Sequence, residues 1–551
     1  MRFSFTTERI PLSAGDWFIL GALGALFAVG TYWLLATIYF RFTTEVPARG
    51  GAMTEGIVGT PRFINPVLAI SDADRDATEL LFAGLMHPTL SGMQPDLAEG
   101  YTLSDDRRTY TFTLRPDAVF HDGTRVTADD VAFTIARIQD PAIKSPKRPN
   151  WEGVAVAVSD ERTISFTLRE PYAPFLDNTD VGIIPKRLWD TVRPDEFPFS
   201  KLNVEPVGAG PFRVQRLVTN ASGIPERLDL TAFSRAIHPP FIESYTLRFF
   251  SDPNALALAV SRDSTLAAHS ITPEMSAGQR AYDAVFGRVF AVFFNQNENA
   301  LFASRAVRSA LDAALDKEAL VRTLIGGYGS VAVGPLPKES SADNTPWSAD
   351  RAASILAADG WLRGEDGIWT KTVKKSTTRL AFTLTTSNAP ELKQAAELVA
   401  DSWRALGADV TVAYFDQNDL QQDVIRPRKY DALLFGIVVG RDADLFAFWD
   451  SSQRNDPGLN IALYTNADVD AILRKTRTAE DPTERTALAE KAADIIAKEV
   501  AAVFLYTPHF LYLTDPRVRG VTLDTIVTPA DRFASITDWY IDTERIWPIF
   551  R

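Results

Sequence analysis

Five histidines, at positions 87, 121, 238, 269 and 509, are the only imidazoles in 551 residues, and cysteine is absent. No two of them stand at the short spacing that sets a pair of zinc ligands on one helix face, so a zinc hydrolase is not expected. Without cysteine there is no thiolate metal site, no thiol nucleophile, no disulfide framework and no lipid-bearing cysteine. The triplet His121-Asp122-Gly123 could place a general base beside a carboxylate. Asp-Gly is also a strong turn signal, and adjacent side chains rarely converge on one site, which favours a structural turn. Gly327, Gly329 and Ala332 mimic a dinucleotide fingerprint. They follow a helical pattern where that motif needs a strand, and no P-loop lysine accompanies them, so a glycine-rich turn accounts for them. No Gly-x-Ser-x-Gly elbow occurs, although a dispersed triad is not excluded by spacing. The expectation is therefore a chain with no catalytic residues, no metal site and no cofactor.

The elements that could position a binding site are plainer. A hydrophobic share of 46% with 23% charged residues is that of a folded protein, and the length implies two to four structural units. The net charge of -13 argues against a nucleic-acid partner, which would demand a surplus of lysine and arginine. Trp17 to Phe40 carry no charged side chain and would span about 36 Å as a helix, enough to cross a bilayer. The stretch is longer than the apolar region of a cleaved signal and ends in Tyr39-Phe40-Arg41-Phe42, without small residues for cleavage. It is expected to be an uncleaved signal anchor, following a short tail at 1–16. Arg2 and Arg9 before it balance Arg41 and Arg49 after it, so the positive-inside count does not orient it. The short tail and the long remainder fit a cytoplasmic N-terminus with the large domain outside. Residues 41–52 are expected to be a linker, flexible over 43–52.

Beyond it, Thr109 to Leu114 and Thr163 to Leu168 alternate polar and apolar residues as half-buried strands do. Thr127 is a good N-cap for a helix presenting Val131, Ile135 and Ile138 on one face. Further helices are predicted along Val307, Ala310, Leu311, Ala314 and Leu315, from Pro390 to Leu406 with a stop at Gly407, and from Asp481 through Ile496. Val410 and Val412 begin a strand. Strands and helices mixed in this way indicate α/β or α+β lobes.

Several short runs then combine. Pro95-Asp-Leu-Ala-Glu-Gly-Tyr101, Tyr110-Thr-Phe-Thr-Leu-Arg115, Val119-Phe-His-Asp-Gly123 and Thr127-Ala-Asp-Asp-Val-Ala-Phe133 follow one another in order. Gly208-Ala-Gly-Pro-Phe212, Phe294-Asn295, Arg305 to Asp316, Gly458-Leu-Asn460 and Tyr464 continue the pattern, and Asn65-Pro66 with Asp76 to Leu85 precede it. Together they cover most of 53–515 and resemble the oligopeptide- and dipeptide-binding family of extracytoplasmic solute receptors that serve ABC transporters. The resemblance implies an α/β, two-lobed periplasmic-binding-protein-like fold of type II in its large, cluster C form. One lobe would take 53–90, 207–298 and 508–551, an inserted subdomain 91–206, and the second lobe 299–507, with hinges near 298 and 507. It also implies an oligopeptide ligand in the interlobe cleft, ABC permease subunits as partners, a monomer, and a cell-membrane protein whose single N-terminal helix holds the large domain on the extracytoplasmic side.

The resemblance also points to a site. Gly436 to Trp449 lies where family members carry the aspartate that grips the peptide amine. Aligning Asp442-Ala-Asp444-Leu-Phe446 with the family's Asp-Pro run leaves Val439 or Gly440 at the amine position. Asp442 or Asp444 would then have taken over that role, unless it is lost and both serve as surface or capping carboxylates. Trp449 is a candidate aromatic wall or a core residue, and Arg441 and Asn295 are further candidate contacts. Other branches of the family bind nickel chelates, haem or oligosaccharides, and these remain open here, as do a surface peptidase and a sensor or chaperone that uses the fold without transport.

Overall fold

The computed structural model describes residues 13–89, 92–338 and 347–550. Most of the N-terminal tail, with Arg2 and Arg9, lies outside the described residues. Ala14–Phe42 form one helix of 29 residues, opened by a reciprocal cap in which Asp16 N–H donates to Ser13 Oγ and the Asp16 carboxylate accepts from Ser13. None of its side chains is buried, and it is long and apolar enough to cross a membrane.

The segment expected to be a flexible tether is ordered. Thr44–Pro47 pair antiparallel with Thr543–Ile546 near the other end of the chain. Arg545 clamps the junction, donating to the carbonyls of Phe40 at 2.8 Å and Thr43 at 2.7 Å. The polar composition of 43–52 matches a linker, but a backbone partner 500 residues away is invisible to local pattern.

Two lobes share one sheet. Its spine is the 13-residue strand Ala502–Thr514. The first half pairs with Arg288–Phe294 (Phe290 opposite Tyr506), and the second half pairs with Arg280–Val285 (Val285 opposite His509). Two chain crossings, at Phe286–Gly287 and Thr507–Pro508, therefore run side by side between the lobes. In the first lobe Ala52–Val58 lies parallel to both Ser244–Phe250 and Leu266–His269, and the sheet continues antiparallel through Pro225–Ala232 to Phe212–Thr219. In the second lobe Arg288–Phe294 neighbours Ala432–Val438, then Ala381–Ser387 and Asp409–Phe415. Its strands read as apolar runs, Val289 to Phe294 and Ala432 to Phe435, because side chains of both faces are covered. Val292, Phe294 and Leu434 pack against Trp403 on one face, while Val289, Phe293 and Leu433 pack against Trp449 on the other.

The subdomain between them is a four-stranded antiparallel sheet of Ala98–Leu103, Thr109–Leu114, Thr163–Thr167 and Ala155–Val158. Tyr110, Phe112 and Leu114 are buried while Thr109, Thr111 and Thr113 are half-buried, as alternation requires. The helix predicted after Thr127 is Ala128–Gln139 and buries Val131, Ile135 and Ile138. Pro390–Leu406 ends at Gly407, whose φ of 105° only glycine adopts freely. The stripe that starts at Val307 belongs to one helix, Arg305–Ala313, with Ala314 at its C-cap and Leu315 just beyond. A second helix, Lys317–Ile325, follows, because Asp316 caps it through Ala319 N–H.

The scattered segments of the first lobe are tied by one buried ion network. Arg532, fully buried, donates to Glu55 at 2.9 Å and to both oxygens of Asp76 at 2.8 Å. The hydroxyls of Tyr245 and Tyr512 also donate to Glu55. Those five residues come from five elements far apart in sequence. Gly208 and Gly210 serve the same lobe by absence of volume: a Cβ at either would strike the main chain at Leu81.

Candidate ligand-binding cleft

Beyond strand Ala432–Val438 the chain turns tightly at Gly440 to Asp444. Ala443 N–H donates to Gly440 C=O, Asp444 N–H to Asp442 Oδ1, and Phe446 N–H to Asp444 Oδ1. Ala443 holds a φ of 54°, a left-handed conformation that costs a non-glycine residue about 1 kcal/mol or more. The turn presents Arg441 and Asp442 to a cavity of about 480 Å³ between the second lobe, the first lobe and the inserted subdomain.

Charge there is unbalanced. Glu79, Asp177, Asp180, Asp442 and Asp531 line the cavity, against Arg75, Lys147 and Arg441. Arg441 is taken up by Asp531 at 2.6 Å. Burial, and then the neighbouring negative charges, make three of them, Asp442, Asp177 and Glu79, weaker acids than usual. Burial, then Asp177 and Asp444, push the Asp442 carboxyl up to about 7. Asp177 is raised by burial and by Asp180. Glu79, in a wall that water still reaches, is raised by the protein around it first and by Asp180 and Asp531 next.

A second cavity of about 770 Å³ adjoins the first, sharing Asn150, Tyr172 and Asn178. Its charge has the opposite character: Arg169, Arg474 and Arg477 line it with Glu152 and Glu170. Arg477 lies between the rings of Tyr172, at 4.6 Å, and Phe446, at 4.4 Å, and pairs with Asp444 at 3.4 Å. Tyr172, on the inserted subdomain, thus meets the second lobe. Burial, with Asp442 and Asp444 nearby, raises its hydroxyl. Each cavity is within the size range of small-ligand sites.

Of the five candidate residues, the structure brings Arg441, Asp442 and Asp444 together at this cleft. Trp449 sits elsewhere, fully buried among Phe293, Tyr464 and Phe504, with no face toward either cavity. Asn295 is 1% exposed and pins the chain as it leaves its strand: Nδ2 donates to Arg428 C=O, and Oδ1 accepts from Asn297 and Glu298 N–H. Glu79, Asp177, Asp180 and Tyr172 were not singled out from sequence. The run Pro171-Tyr-Ala-Pro174-Phe, aromatic and stiffened by two prolines, is the signal that could have marked Tyr172 as a wall. His121, as expected, belongs to a turn, accepting from Gly208 N–H and lying 3.2 Å from Gly210 C=O.

Comparison with known proteins agrees with this architecture. Residues 92–457 match the model of bacterial extracellular solute-binding proteins, family 5. The chain is 30% identical over 490 residues to Protein XP55 of Streptomyces lividans, covering 85% of each. It is 25% identical over 482 residues to the oligopeptide-binding protein AppA of Bacillus subtilis, covering 84% of this chain and 87% of that one. Among solved structures, AppA of Bacillus subtilis in complex with a nonapeptide has a TM-score of 0.66 at 23% identity, covering 90% of this chain and all of that one. The unliganded open form of MppA, a periplasmic murein tripeptide binding protein, has a TM-score of 0.73 at 20% identity, covering 91% and 99%. Other relatives bear binding-protein names, among them a probable D,D-dipeptide-binding periplasmic protein of Escherichia coli, DdpA, 25% identical over 505 residues. On the match over 92–457 and the likeness to XP55, this chain belongs to family 5 of the bacterial extracellular solute-binding proteins.

Proposed function

We propose that the chain is an extracytoplasmic receptor that captures peptides between its lobes and delivers them to an ABC transporter permease, held at the membrane as a monomer by its N-terminal helix. The observation that carries this is the crowd of carboxylates around Asp442, where the Asp442 carboxyl itself is a weaker acid than usual and the nearby cations are outnumbered. A ligand ammonium entering there would let them ionise. The arginine-lined cavity next door suits the opposite end of the same molecule, and a peptide carries both charges on one chain. The names of relatives point the same way: AppA is an oligopeptide-binding protein and holds a nonapeptide in its structure. Trapping such a ligand requires lobe motion. We place the hinges at Phe286–Gly287 and Thr507–Pro508, so the first crossing falls earlier than the expected position near 298. Lobe one then comprises 53–90, 207–286 and 508–551, and lobe two 287–507, with 91–206 inserted.

Mass spectrometry of small molecules released on denaturing the purified full chain tests the ligand class. Peptides are expected; a haem, a nickel chelate or an oligosaccharide would overturn the assignment. Scattering of the detergent-solubilised chain should show a smaller radius of gyration with saturating ligand, and identical curves would contradict hinge closure.

A further inference from the structure

His87, Asp96 and His238 meet behind the cleft, although nothing in their spacing announces it. His87 lies in strand Met86–Thr89, whose hairpin partner Gly92–Pro95 sets Met86 opposite Pro95. Asp96 follows at once, and its N–H donates to Leu85 C=O at 3.0 Å, which holds the carboxylate beside the hairpin. His238 comes from the loop after Pro225–Ala232, stiffened by Pro239 and Pro240. The two imidazole rings are 5.0 Å apart, and one donor atom from each of the three residues lies within 4.8 Å of the others.

Two details favour a ligand over a coincidence. Nδ1 of His87 is enclosed and has no hydrogen-bond partner among the described residues, an arrangement with a cost unless something fills it. A cavity of about 70 Å³ stands at the three side chains, room for an ion with a water or two.

We propose that His87, Asp96 and His238 bind one divalent transition-metal ion of the Zn²⁺ type, with a fourth position left for water. Two imidazoles and a carboxylate are the donor set such ions prefer over Mg²⁺ or Ca²⁺. Bonds of about 2.0 Å place tetrahedral ligands roughly 3.3 Å apart, so the donors close by about an ångström or more, a movement open to the exposed ring of His238. The ion would staple the hairpin at 86–95 to the loop at 234–240. Glu79 lines both this small cavity and the ligand cleft, so the staple stiffens the back of the cleft wall. The sequence concealed the set because its members come from a hairpin and a distant loop, not from one helix.

The test uses untagged full-length protein in detergent, stripped with chelator and titrated with Zn²⁺ by calorimetry and with Co²⁺ by visible absorption. Wild type is expected to take up one equivalent, with the strong visible bands of low-coordinate Co²⁺ and a raised melting temperature. His238→Ala, at an exposed loop position, should lose the bands and weaken binding at least 10-fold, and Asp96→Asn should do the same. His509→Gln, remote from the set, should bind as wild type does. No stoichiometric uptake by wild type, or undiminished uptake by folded His238→Ala, overturns the proposal. If Asp96→Asn fails to fold, His238→Ala decides alone.

Discussion

Arg441 of the second lobe reaches 2.6 Å from Oδ1 of Asp531 in the first lobe. Asp531 is itself fixed, its other oxygen accepting from the N–H groups of Val527 and Thr528 at 2.7 and 2.9 Å. Both side chains are largely shielded, so the pair is a latch across the cleft mouth. A second ion pair joins the inserted subdomain to the second lobe, Arg107 with Glu480 at 2.8 Å, but it is about half exposed and contributes little.

Removing the latch should favour the open form. A charge-assisted hydrogen bond is worth about 1.5–3 kcal/mol, less where water screens it. Arg441→Ala is therefore expected to weaken ligand binding by roughly 10-fold, mainly through faster release, and to enlarge the radius of gyration of the ligand-free protein. Unchanged release kinetics would show that the pair does not hold the lobes.

The network around Arg532 should dominate the stability of the first lobe. Arg532→Leu leaves Glu55 and Asp76 buried without a cation, at a cost of about 3–5 kcal/mol. Denaturant melts should show that loss, and a variant within 0.5 kcal/mol of wild type would contradict the assigned role.

Protons should move when the ligand binds. The Asp442 carboxyl is raised from 3.8 to about 7 in the touching lobes, so this form holds a proton that a solvated carboxyl releases. The form binding more protons loses stability as pH rises. Ligand-free closure is thus expected to weaken between about pH 4 and 7. A cationic ligand stabilises the ionised carboxylates, so its binding near pH 6 should release protons. Calorimetry in buffers of different ionisation enthalpy measures this, and proton uptake would contradict it.

Sequence patterning reached the elements that local physics decides. Thr127 and Asp130 specify a cap, Gly407 stops a helix, and the threonines of Thr109–Leu114 mark the polar face of a strand. It placed Asp442 and Arg441 at the cleft only through family resemblance, and it could not separate Trp449 the wall from Trp449 the core residue, since a tryptophan serves either. The rest of the site was out of reach because Glu79, Asp177 and Asp442 are spread over more than 350 residues and become neighbours only when three segments of chain converge. The strand at Thr44–Pro47 was hidden for the same reason.

The N-terminal helix should remain in the mature protein. N-terminal sequencing of membrane-extracted protein is expected to begin ahead of Trp17, and a mature chain starting near Gly50 would contradict anchoring. Arg545→Ala should loosen the junction and speed protease cleavage between Thr43 and Ala52.

The central claim is that the carboxylates around Asp442 recognise a ligand ammonium, and calorimetric titration with one peptide in free-amine and N-acetylated forms tests it most directly. Wild type is expected to prefer the free amine by about 2–5 kcal/mol, and Asp442→Asn to lose most of that preference, because a buried charge would otherwise be left unpaired. Equal affinities for the two peptides, with Asp442→Asn binding as tightly as wild type, would contradict it.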